Sequence, residues 1–115
     1  MANLLAKNGK IIGGVPERTD RIVDTTSITG ITFVKSGGAV TAYIYGYKTS
    51  GNAVQFVIPA DFRPTYQCLA VVLNNTDKVF SYADISPNGN VYLRLANSTN
   101  LAADKYIYGL FTYIL

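Results

Sequence analysis

Four side chains on one hairpin could do chemistry together: Tyr82, Asp84, Tyr92 and Arg94. The turn Ser86-Pro-Asn-Gly-Asn90 sets their positions. Pro87 and Asn88 suit the centre of a type I turn, and Gly89 suits the left-handed bulge position that follows. That register places Val91 opposite Ile85 and Leu93 opposite Ala83 on one face. The other face receives Tyr92 opposite Asp84 and Arg94 opposite Tyr82, with Arg94 diagonal to Asp84 and within reach of an ion pair. Aromatic rings beside an acid and a base suit a saccharide, because a ring stacks on the sugar's apolar face while charged groups bond its hydroxyls. An arginine fork also fits a phosphate of a phosphorylated polysaccharide. The alternative is an ordinary cross-strand salt bridge with tyrosine neighbours, worth well under about 1 kcal/mol when exposed. Asn97 and Asn100, in the loop Asn97-Ser-Thr-Asn100, form a second polar candidate that is otherwise a plain connector.

Other reaction chemistry finds little support. There is no histidine, so His-based general acid–base or triad chemistry is excluded. One cysteine, Cys68, sits in an apolar run and reads as a small buried hydrophobe. No spacing suits a metal, no glycine motif cradles phosphate, and no cofactor is implied. Glycoside cleavage needs two carboxylates across one bond. Beyond residue 26 the acids are Asp61, Asp77, Asp84 and Asp104, and only Asp84 projects from a strand face. The chain therefore reads as a non-enzyme.

The elements that must position these residues are strands. From Ser27 onward, runs rich in Val, Ile, Thr, Tyr and Phe alternate with Gly, Asn, Ser and Pro clusters, and no segment has the apolar spacing of an amphipathic helix. Seven strands are predicted, at about 28–35, 39–48, 53–58, 66–73, 78–85, 91–96 and 105–114. The turn Ser36-Gly37-Gly38-Ala39 predicts a tight hairpin with Phe33 opposite Ala42 and Ile31 opposite Ile44. The segment Lys48-Thr-Ser-Gly-Asn52, read as a three-residue loop with Gly51 left-handed, predicts Ile44 facing Phe56 and Gly46 facing Val54. Residues 1–26 carry seven charges, Gly13-Gly14 and Pro16, and read as an extended arm or anchor with a possible short strand at Lys10-Ile-Ile12. Residues 27–115 form the single β domain, an antiparallel sandwich or barrel.

Composition adds a constraint. Hydrophobic residues make up 49% of 115 residues and charged ones 15%, which is apolar for a chain with so much surface to cover. The longest apolar run, Leu69-Ala-Val-Val-Leu73, is strand-sized, so no membrane insertion and no signal peptide are expected. The net charge of +3 is spread along the chain rather than gathered in a stripe, against nucleic-acid binding. Strand 39–48 carries Val40, Ala42 and Ile44 on one face and Tyr43, Tyr45 and Tyr47 on the other. The closing strand is apolar on both faces, with Phe111 and Tyr113 on one of them. Strands apolar on both faces are covered on both. Either a second subunit covers Tyr43, Tyr45, Tyr47, Phe111 and Tyr113 in a homo-oligomer, or these tyrosines all lie between the sheets of one sandwich.

Two further segments point to a family. Val57-Ile-Pro-Ala-Asp-Phe-Arg-Pro64, then Ile85-Ser-Pro-Asn-Gly-Asn-Val91, then an aromatic terminal strand, resemble the C-terminal head domains of receptor-binding, tail-fibre or baseplate proteins of phages infecting Gram-positive bacteria. The resemblance covers about residues 27–115. It implies a β-sandwich or barrel head assembled as a homotrimer, binding host cell-wall saccharide during attachment. It also implies a virion protein made in the host cytoplasm without a signal peptide; residues 1–26, read as an arm, would then dock on other virion proteins. Such proteins usually carry a shoulder, neck or coiled coil before the head, and residues 1–26 do not read as one. A structural virion decoration or short fibre, with an assembly role and no glycan binding, is the alternative.

Overall fold

The computed structural model describes residues 23–115, so the arm as far as residue 22, including Lys10-Ile-Ile12, lies outside the described residues. The described chain is all-β. Its strands are β1 (Val23–Ile28), β2 (Ile31–Ser36), β3 (Ala39–Lys48), β4 (Phe56–Val57), β5 (Cys68–Asn74), β6 (Val79–Ile85), β7 (Asn90–Arg94) and β8 (Tyr106–Ile114). A single 3-10 turn, Ala60–Phe62, interrupts them. All neighbours are antiparallel in one sheet of order β1-β2-β3-β8-β5-β6-β7-β4, with β1 and β4 as its two ends.

Instead of two stacked sheets there is one sheet curled into a half-barrel. The bend falls between β8 and β5. β8 pairs with β3 along its whole length but with β5 only at Leu73↔Tyr108 and Asn74↔Ile107. Beyond that point Val72 packs over Gly109, and the two halves of the sheet face each other. Ile31, Phe33, Val40, Ala42 and Ile44 from one half meet Val72, Ala83, Ile85, Val91 and Leu93 from the other. The crossover after β4 fills the space between them with Ile58 and Phe62. Phe33 is fully buried at the centre, its ring 6.5 Å from those of both Phe56 and Phe62. Each such buried side chain stabilises the fold by roughly 1.5–3 kcal/mol.

Two of the three expected registers are present. Phe33 faces Ala42 and Ile31 faces Ile44; Val91 faces Ile85, Leu93 faces Ala83, Tyr92 faces Asp84 and Arg94 faces Tyr82. The third is not. β3 does not turn back onto residues 53–58; it pairs with β8 on that side, and β4 pairs with β7. The left-handed glycine is Gly46 (φ 76°), inside the strand, rather than Gly51. It forms a bulge that shifts the β3–β8 register between Tyr45 and Tyr47. After β3 the chain is captured by side chains. Thr49 Oγ1 donates to the Ala102 carbonyl at 2.7 Å and accepts from the Lys105 amide at 2.8 Å. Gln55 ties down residues 50–52 through its side-chain amide. At the other end, Thr29-Gly30 is a hairpin turn rather than part of a strand 28–35. β1 therefore starts at Val23, inside the segment read as an arm.

Candidate functional site

The hairpin joining β6 and β7 closes as its residues dictate. Gly89 takes φ 93°, its amide donates to the Ser86 carbonyl at 2.9 Å, and Asn88 Oδ1 accepts from the Asn90 amide at 3.0 Å. The two motif segments dock on each other here. The Ile58 amide donates to the Gly89 carbonyl at 2.8 Å, and Arg63 Nε donates to the Ile58 carbonyl at 2.7 Å. Arg63 thus lies across the hairpin, and the Pro-Asn-Gly turn and the Ile-Pro-x-x-Phe-Arg-Pro crossover form one packed unit.

On the outer face of that unit, Arg94 Nη1 lies 2.7 Å from Asp84 Oδ2, and its guanidinium stacks 4.6 Å from the centre of the Tyr92 ring. Its Nε donates to Asn100 Oδ1 at 3.4 Å, a long bond, supported by the β-bridge between the two backbones. Tyr82 Oη donates to Ser98 Oγ at 3.2 Å. The structure therefore brings Tyr82, Asp84, Tyr92, Arg94 and Asn100 together. Asn97 is used differently: its Oδ1 accepts from the Thr99 amide and hydroxyl and closes its own loop. Leu101, buried beneath, anchors that loop to the core.

Asp84 has a narrower role than the sequence suggested. It is buried, and its second oxygen accepts from Gln67 Nε2 at 2.6 Å. Both of its oxygens therefore have donors within the chain. Tyr82, Tyr92 and Arg94 remain half-exposed and Asn97 and Asn100 exposed, so they make up the accessible surface. Sequence reasoning missed Gln67, because it lies just before β5, where strand alternation does not show that its side chain reaches Asp84.

The expected interface residues divide into two groups. Tyr43 and Tyr45 do face outward. Tyr47, Phe111 and Tyr113 do not form a second apolar face; they turn to the core side. The Gly46 bulge rotates Tyr47 inward, where its ring lies 5.3 Å from Phe56 and its hydroxyl donates to the Gln55 carbonyl at 2.6 Å. Phe111 follows the inward alternation of β8 and packs against the core. Tyr113 is buried and donates to the Phe62 carbonyl at 2.6 Å. Burial pushes the hydroxyls of Tyr47 and Tyr113 above the usual tyrosine range, with the nearby Cys68 adding to the effect at Tyr113.

Burial, and then the charge of Asp84, push the Cys68 thiol up, which disfavours the reactive thiolate. Hydrogen bonds from Lys105 and Asn74 hold the Asp77 carboxyl below its ordinary value. Asp104 pairs with Lys48 at 3.5 Å. Among the described residues no group of three His, Cys, Asp or Glu side chains could hold a metal ion, and no helix is long and apolar enough to cross a membrane. Two open clefts lie elsewhere: one of about 310 Å³ beside Tyr66 and Gln67, and one of about 460 Å³ between Tyr45, Leu73, Asn75 and Tyr108. The chain matches no protein-family model and no curated protein.

Proposed function

We propose that this chain is the head module of a phage virion protein that binds host cell-surface saccharide through the outer face of β6 and β7. The module works as a homo-oligomer and is attached through residues 1–26 to other virion proteins. The observation that carries the reading is the guanidinium of Arg94, which lies over the Tyr92 ring, is bonded to Asp84 and is flanked by Tyr82 and Asn100. A stacked, oriented fork beside a second half-exposed tyrosine suits hydroxyl pairs or a phosphodiester on a sugar chain. Its geometry is already set before a ligand arrives, which lowers the entropy lost on binding.

The reading is tested with the full chain against purified cell-wall polysaccharides and teichoic acids from a panel of Gram-positive bacteria, by calorimetry and whole-cell pull-down. Saturable binding that weakens at least tenfold in Arg94→Ala and Tyr92→Ala supports it. Absence of binding across the panel, or binding indifferent to both substitutions, overturns it. One observation favours a structural decoration instead: both Asp84 oxygens already have donors within the chain, as in a cluster whose job is to rigidify. That reading expects no glycan affinity at all.

A further inference from the structure

The outer face of the sheet carries apolar side chains on each of β3, β8, β5 and β6. By register, Tyr45 faces Tyr108, Tyr108 faces Leu73 and Leu73 faces Phe80, a single row spanning four strands. Tyr43 and Leu110 face each other two residues along, and Val71 and Leu69 continue the face down β5. Tyr43, Tyr45, Leu69, Val71, Phe80 and Leu110 are between 45% and 82% exposed. With a whole aromatic side chain at about 200 Å², these six present on the order of 700 Å². The largest apolar patch on a typical monomer is about 300–600 Å², whereas a standard protein–protein interface takes about 800 Å² from each partner.

We infer that this face is where copies of the chain meet, sheet against sheet, with Tyr45 and the cleft between Leu73, Asn75 and Tyr108 at its centre. Charge selects the occupant. No Lys, Arg, Asp or Glu projects from the row Tyr45–Tyr108–Leu73–Phe80 or from Tyr43, Val71 and Leu110, and the carboxylate that borders the face, Asp84 opposite Leu69, is already bonded to Arg94 and Gln67, so two copies meet without like-charge repulsion. Of the cations at its rim, Lys48 is matched by Asp104, Lys105 by Asp77 at 3.0 Å and Arg94 by Asp84, while Lys78 donates to Asn75 Oδ1 at 2.8 Å. They form no unpaired basic girdle for an anionic lipid surface. Facing sheets pack through interdigitated apolar side chains, the kind this face offers. The inference rests on the oligomeric part of the proposed function, and its edge at Leu69 and Val71 adjoins Asp84 and Tyr82 of the saccharide patch.

The test is sedimentation equilibrium of the full chain from micromolar to millimolar concentration. Tyr45→Lys, Val71→Lys and Leu110→Lys are compared with Thr25→Lys on the exposed outer face of β1, each checked for fold by circular dichroism. All four sites are outside the core. The wild type and Thr25→Lys are expected to sediment as oligomers, and the three stripe variants to dissociate at least tenfold more readily. A monomeric wild type overturns both this inference and the oligomeric reading. An oligomer that persists in all three stripe variants overturns the assignment of this face alone and leaves the oligomeric reading standing. A monomer that co-sediments with phosphatidylcholine–phosphatidylglycerol vesicles through the same residues overturns it in favour of a lipid partner.

Discussion

Replacing Gly89 with alanine probes how the crossover and the β6–β7 hairpin hold each other, and the structure allows its cost to be worked out. At φ 93°, an alanine pays a backbone penalty of roughly 1–2 kcal/mol. Its Cβ would stand 2.5 Å from Arg63 Nε and 2.8 Å from the Ile58 carbonyl oxygen. Arg63 can swing away, but only by giving up its 2.7 Å bond to that same carbonyl. The Ile58 backbone can retreat only by stretching its 2.8 Å bond to the Gly89 carbonyl. Losing either bond costs about 1 kcal/mol. The stiffer unfolded chain of the alanine variant offsets about 0.4–1 kcal/mol. The net expectation is a loss of about 1–2.5 kcal/mol, or roughly 5–20 °C in Tm for a domain of this size. Gly37→Ala is the control: Gly37 also has a left-handed φ, 61°, but nothing lies within 4 Å of its added Cβ. That variant should lose only about 1 kcal/mol, the backbone part. Urea unfolding followed by far-UV circular dichroism, at equal m, separates the two. Equal losses in both variants would refute the claim that Arg63 and Ile58 clamp the hairpin.

Three further outcomes follow from individual side chains. Gln55→Leu removes an amide that bonds Ser50 and Asn52, and accepts from the Ser50 amide at 2.8 Å; a loss of about 2–3 kcal/mol in urea melts is expected, with little change if loop 49–55 is held by backbone alone. Tyr113 keeps its proton in the fold to higher pH than in the unfolded chain, where it ionises near 10. Its contribution is complete below pH 10 and is lost as pH rises toward the folded value, by up to about 1.4 kcal/mol per pH unit. Tyr113→Phe should flatten that alkaline fall in thermal melts while costing about 1 kcal/mol at neutral pH for the lost bond to Phe62; an unchanged alkaline slope counts against it. Asp84→Asn weakens the hold on Arg94 and should destabilise the fold by about 1–2 kcal/mol in urea melts, whereas an unchanged midpoint would mean that the pair is isolated from the packing below.

Much of the site was legible because its partners are close in sequence. Ser36-Gly37-Gly38-Ala39 and Ser86-Pro-Asn-Gly-Asn90 each lock a register locally, and a slip of one residue would exchange the core and solvent faces. The all-β class, the turn at Gly89 and the shared face of Tyr82, Asp84, Tyr92 and Arg94 follow from that local chemistry. What misled was a glycine that serves its purpose inside a strand. Gly51 looked like the turn former, but Gly46 makes the bulge, and with it Tyr47 moves from the outer face to the core.

Tertiary structure decided everything that depends on which distant strands adjoin. β3 lies beside β8 and β4 beside β7, so the chain after β3 leaves the sheet instead of folding back as a hairpin. The bend between β8 and β5 turns Tyr113 inward, under Phe62, and leaves Tyr45, Val71 and Leu110 outside. Alternation along a strand says that two faces exist. Which of them is covered depends on the direction in which the whole sheet curls, and that is a balance of packing over all eight strands that no single segment encodes.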